Sequence, residues 1–205
     1  MVTVLFAFVV GLTIHEFAHS WAALKLGDNT PRETGRLTLN PLKHIDPFGF
    51  LLLLVAGFGW AKPVMINHGN LKNPKRDDLL ISLAGPFSNL VFAFILTAVY
   101  KLILITIPLN SAVYSGISTT FTSFIWMNLG LFVFNMIPIP PLDGSHVITN
   151  FLSERNTNAA RSYQRYGSFI LIGIILSERI TKIDLLPIGK VVEFFFTKIL
   201  GIFGL

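Results

Sequence analysis

Cysteine is absent from the 205-residue chain. Disulfide scaffolds, thiolate zinc sites and cysteine nucleophiles are therefore excluded, while the redox compartment stays open. Charge is scarce as well: 16 Lys+Arg and 11 Asp+Glu make up 13% of the residues, against ~25% in ordinary globular domains. There is no internal repeat and no low-complexity linker. What remains is apolar, with 52% hydrophobic residues and a mean hydropathy of +0.64. These values exclude an ordinary soluble domain and imply an α-helical polytopic membrane protein. The net charge of +5 lies in loops between apolar runs and forms no basic stripe with interleaved aromatics, so nucleic acid is not an expected partner.

The first apolar run extends from Val2 to about Leu26, long enough to cross a ~30 Å hydrocarbon core at 1.5 Å per residue. A cleaved signal peptide fits it poorly, because no basic segment precedes it, no small-residue cleavage site follows, and it carries His15, Glu16 and His19. Further runs cover residues 79–108, 118–137 and, shorter, 166–177. In the tail, Ile188 to Leu205, Lys190, Glu193 and Thr197 recur at spacings of three and four, favouring a short helix in the membrane interface over a fifth span. About four to five transmembrane helices are thus expected within one domain, residues 1–205.

Between the first two spans the texture changes. Arg36 to Asn40 alternates polar and apolar residues, and Pro41, Pro47, Gly49, Gly57, Gly59 and Pro63 punctuate the stretch beyond it. This predicts a small membrane-associated β-hairpin or sheet, or a re-entrant segment, over residues 35–66. Basic residues indicate direction: eight lie in loop 25–78, none in 109–117 and three in 150–165. By the positive-inside rule, the first and third spans end in the cytoplasm and the turn around Asn110 faces outside.

The segment His15-Glu16-Phe17-Ala18-His19 carries chemistry. Residues four apart on a helix share a face, so both imidazoles can grip one metal ion while Glu16 sits beside its water. Neutral imidazole suits zinc, whose catalytic sites hold three protein ligands and one open position. Glu16 can take a proton from that water and pass it to a leaving amine. A five-residue pattern also arises by chance, but ionisable residues inside a bilayer segment cost ~2.5 kcal/mol or more each and usually mark function. His15 and His19 lie thirteen and seventeen residues beyond Val2, which puts the metal within ~10 Å of the cytoplasmic face.

A third ligand must come from elsewhere. Glu33 sits in a polar loop with no helical pattern to return it to the metal, and no third histidine stands at the metzincin spacing. Asp143 directly follows an apolar run and three prolines, Pro138, Pro140 and Pro141. These break the third span near its cytoplasmic end and let an extended segment deliver the carboxylate. The competing reading makes Asp143 the N-cap of the segment from Gly144 to Leu152.

These residues resemble the site-2 protease family of intramembrane zinc metalloproteases, peptidase family M50, and within it the minimal prokaryotic branch. The similarity rests on HEFAH, Gly35 to Gly49 (GRLTLNPLKHIDPFG), Gly57 to Val64 (GFGWAKPV), Ala84 to Asn89 (AGPFSN) and Asn135 to Gly144 (NMIPIPPLDG), in the family's order. The resemblance implies one zinc per chain held by His15, His19 and Asp143, with Glu16 as catalytic acid and base. It also implies substrates that are single-span membrane proteins, cut in the plasma membrane of a prokaryote near its cytoplasmic side. The additional span, PDZ domain and CBS domains of many members are not seen.

The family motif begins with an Asn where Asn135 stands, which implies an amide polarising the scissile carbonyl; an interhelical hydrogen bond is the structural alternative. Asn89 has the same two readings, with helix packing through Gly85 and Ser88 favoured. His44 and Asp46 either orient ligands from outside the metal sphere or make turn and cap bonds, and His68 and His146 receive no ligand role. The alternation from Arg36 to Leu42 suggests a free strand edge that holds unwound substrate. Two other functional classes remain: a non-catalytic membrane metal-binding protein or transporter, and a membrane-anchored peptidase acting on soluble peptides.

Overall fold

The computed structural model describes residues 2–56, 59, 61–108 and 110–205, with the side chains of 50 and 53–56 outside the description. Helix α1 (Val2–Leu26) ends where Gly27 takes φ +110. The Asp28 amide then returns to the Ala23 carbonyl at 2.9 Å, a left-handed glycine stop. A four-residue α2 (Thr30–Glu33), α3 (Pro47–Ala56) and α4 (Pro74–Thr106) come next. Pro74 occupies the first turn of α4, where its missing N–H is no loss. Helix α5 (Ser111–Asn135) starts on Asn110, whose side chain accepts the Val113 amide at 2.9 Å. Helices α6 (Ser145–Arg155), α7 (Thr157–Thr181) and α8 (Ile188–Ile202) complete the order.

α4 packs along both α1 and α5, and α1 also meets α5, so these three form the central bundle. They are also, among the described residues, the three helices long and apolar enough to cross a membrane. That is fewer than the four to five expected. The run 166–177 is the apolar middle of α7, about 18 Å long, flanked by Arg161, Arg165, Glu178 and Arg179.

The expected β-hairpin is replaced. Among the described residues the region holds one antiparallel bridge, Ile45 to Ala61, beside the bond from the Lys62 amide to the His44 carbonyl. The Thr38 amide donates back to the Arg36 carbonyl, and His44 Nε2 donates to the Thr38 carbonyl at 2.8 Å. The segment is therefore curled and its groups engaged, so the free strand edge expected over 36–42 is not there. Proline at 41, 47 and 63 removes ladder donors, and the leucine run after Pro47 favours α3. Residues 57, 58 and 60 of this region lie outside the described residues.

The tail also differs from expectation. α8 lies lengthwise on α5: Phe195 meets Phe132 at 5.4 Å and Phe196 meets Trp126 at 5.5 Å between ring centroids. Farther along, Phe203 meets Phe94 at 6.5 Å and Lys101 donates to the Gly204 carbonyl at 3.1 Å. A helix flat in the interface would touch α5 at one end only. The main core cluster shows the same arrangement, joining Ala93, Ile125, Leu129 and Phe132 to Val192 and Ile199 of α8. Burial of Val192, Ile199 and the phenylalanines outweighs the polar stripe that suggested the interface.

Candidate metal centre

α1 presents His15 and His19 on one face, their rings edge-to-face at 4.6 Å, and both are buried together with Glu16. Opposite their Nε2 atoms α4 places Gly85. A Cβ on Gly85 would collide with His19 Nε2 and Cε1 and stand 2.7 Å from His15 Nε2. Glycine there leaves the space in front of both imidazoles open.

The tautomers are set by the far side of each ring. His15 Nδ1 lies 2.8 Å from Asn89 Oδ1, and the Asn89 amide nitrogen donates to the Gly11 carbonyl and to Asn128 Oδ1, each at 2.9 Å. Asn128 in turn donates to the Phe124 carbonyl at 2.8 Å. His19 Nδ1 lies 2.7 Å from the Ile81 carbonyl. Both Nδ1 atoms thus face acceptors and carry a proton, so each ring, when neutral, presents its lone pair at Nε2.

Asp143 arrives from the segment between α5 and α6. The Gly144 amide closes that loop onto the Asn135 carbonyl at 2.7 Å, and Tyr163 of α7 donates to the Pro138 carbonyl at 2.6 Å. α6 begins at Ser145 after Gly144, with no side-chain cap. Instead, the Asp143 carboxylate lies 3.0 Å from His15 Nε2 and 3.5 Å from His19 Nε2, and Oδ2 is buried with no hydrogen-bond partner among the described residues.

Three lone-pair atoms therefore converge, all within 4.8 Å of one another, and with neutral rings none has a proton to offer the others. Such a set is repulsive alone and complementary to a cation. Spacings of 3.0 and 3.5 Å match the ~3.3 Å edges of a tetrahedron with zinc-ligand bonds of ~2.0 Å. The residues fit a zinc ion.

The other expected residues sit apart from this cluster. Glu33 is exposed on α2. Asp46 caps α3 by accepting the Gly49 amide at 2.8 Å, and His44 bonds within its own loop, with Nδ1 unpartnered among the described residues. Asn135 donates to the Leu131 carbonyl of its own helix at 3.0 Å, so among the described residues the interhelical bond, the alternative to a carbonyl-polarising role, is not made. Sequence reasoning missed the Ile81 carbonyl, Asn128 and Asp78. Asp78 accepts from His146 at 2.7 Å through one oxygen and lies 3.2 Å from His68 through the other. That hydrogen bond raises the His146 pKa above its ordinary 6.5, against the opposing effect of burial.

A buried pair of histidines and a carboxylate, set among helices that can cross a bilayer, defines a membrane metalloenzyme centre of the HExxH type. Peptidase family M50 matches residues 3–105 and 99–177, and the chain belongs to that family. It is 40% identical over 172 residues to YwhC of Bacillus subtilis, by name a zinc metalloprotease, covering 82% of this chain and 78% of that one. It is 28% identical over 188 residues to Rip2 of Mycolicibacterium smegmatis, likewise a zinc metalloprotease by name, covering 88% of this chain and 69% of the relative. No solved structure matches. The protein is a membrane metalloprotease.

Proposed function

We propose that the chain is a zinc-dependent endopeptidase that cuts transmembrane segments of single-span proteins, at the cytoplasmic side of a prokaryotic plasma membrane, with one zinc per chain. The observation that carries this reading is the convergence of His15 Nε2, His19 Nε2 and Asp143 Oδ2 on α1 and beside it, in an apolar helix rather than in a soluble groove. These three residues hold the metal. Bound there, zinc supplies Lewis acidity toward a water molecule and the scissile carbonyl.

Glu16 is buried next to His15 and makes no ion pair or hydrogen bond through its carboxylate among the described residues. It accepts the proton of the attacking water and returns it to the leaving amine. Asn135 exchanges its bond to the Leu131 carbonyl for one to the carbonyl oxygen as charge develops there. The surplus of basic residues in loop 25–78 supports a cytoplasmic opening.

Reconstitution with a panel of single-span substrates tests the proposal. Glu16→Gln should lower cleavage by ~10²–10⁴ while zinc content stays at the wild-type level, and chelation should abolish cleavage reversibly. Wild-type rates from Glu16→Gln would overturn the role of Glu16. Stoichiometric zinc without cleavage of any substrate would favour a metal-binding or transport protein instead.

A further inference from the structure

α8 turns Val192 and Ile199 toward α5, and its ring contacts fix its level in the bundle. Trp126, which meets Phe196, lies nine residues from one end of α5 and fifteen from the other, ~14 and ~22 Å along the axis. Thr197 and Lys198, next to Phe196 in sequence, therefore stand well inside the hydrocarbon thickness when α5 spans. Yet the outer side of α8 exposes Lys190, Glu193, Phe194, Thr197, Lys198 and Gly201. A lysine facing lipid at that depth costs ~2.5 kcal/mol or more, and Glu193 meets no cation among the described residues.

The pattern of this face identifies what covers it. Phe194, Thr197 and Gly201 recur at three and four, as positions a, d and a of a heptad, with Glu193 at the preceding g and Lys198 at the following e. In a parallel helix pair the g side chain of one helix faces the e side chain five residues on in its partner. Copies of one membrane protein insert with the same orientation. A two-fold axis along the membrane normal therefore sets α8 against α8 in parallel.

Glu193 of each copy then meets Lys198 of the other, while Lys190, at the preceding d, is paired with Asp184 of its own chain at 3.4 Å. Lys198 already points the right way: its ammonium lies 5.7 Å from the Phe194 ring centre, one turn back toward the level of residue 193. Thr197 and Gly201, four apart and small, permit close backbone approach. The position of a Cβ on Gly201 has nothing within 4 Å among the described residues. We propose that the outer face of α8 is a homodimer interface, occupied by α8 of a second copy in parallel register and fixed by reciprocal Glu193 and Lys198 pairs.

The natural absence of cysteine makes the test direct. Thr197→Cys in the 205-residue chain, oxidised in native membranes, should give disulfide-linked dimer at least ~10-fold above Val99→Cys, which faces outward from α4. In the Thr197→Cys background, Glu193→Lys or Lys198→Glu should each cut that yield by about fivefold, and the double reversal should restore it. Dimer yield from Thr197→Cys no better than from Val99→Cys would overturn the proposal. So would single reversals without effect, or a double reversal that fails to restore the dimer. The readout is independent of proteolysis, so it stands or falls apart from the proposed activity.

Discussion

Asn89 shows what one amide can do to a metal ligand. Its oxygen receives His15 Nδ1 while its nitrogen is committed to the Gly11 carbonyl and to Asn128, so neither end is free to flip. Asn89→Ala should leave His15 without an acceptor and lower zinc affinity by ~10–100-fold, read by competition against a chelator of known affinity. Gly85→Ala acts on the same cleft from the opposite wall. The added methyl would occupy the space before both Nε2 atoms, and zinc should be lost while the helical circular dichroism signal stays. At this scale the sequence was legible wherever chemistry stood out against an apolar background: His15, Glu16 and His19 inside a run, and Asp143 after three prolines. It was not legible where a partner lies far along the chain. The bond from His15 to Asn89 spans 74 positions and that from His146 to Asp78 spans 68. No local pattern announces either.

Elements were legible by their length and texture, with two instructive exceptions. Alternation over five residues suggested a strand at 36–40, but a strand needs a partner edge, and the His44 ring takes the Thr38 carbonyl instead. The polar stripe of α8 suggested a surface helix, although its other side carries the aromatic residues that fill the core against α5. α6 yields a prediction of its own. It comes directly after Asp143 and is moored to the first turns of α4, through His146 to Asp78 and through Asn150 to the Lys75 carbonyl at 3.0 Å. Because Asp78 raises the His146 pKa above 6.5, the mooring is fully present below that ordinary value. It is lost as pH rises through the higher native one. Hydrogen exchange of the α6 amides should therefore be slower at about pH 5.5 than at about pH 8, after correction for intrinsic rates. Asp78→Asn should remove that difference; persistence of the difference in the variant would place its origin elsewhere.

At the scale of the molecule, the proposed metal is a tertiary cross-link. Two of its ligands sit on α1 and the third on the segment after α5, so a bound ion fastens the ends of the central bundle that α4 joins along its length. Zinc at about a thousand times its dissociation constant should stabilise the fold by ~4 kcal/mol, visible as a rise in Tm that a chelator reverses. The unpartnered Asp143 Oδ2 makes the expectation sharper. Without metal, Asp143 Oδ2 has only the two imidazoles as neighbours, and Asp143→Ala should change stability little. With zinc present, the same substitution should remove the whole metal-dependent rise. An effect of opposite sign, or of very different size, with and without zinc is the signature of a ligand. A residue that merely starts α6 would destabilise equally in both conditions, and that equality in thermal unfolding of the detergent-solubilised protein would rule out Asp143 as the third ligand.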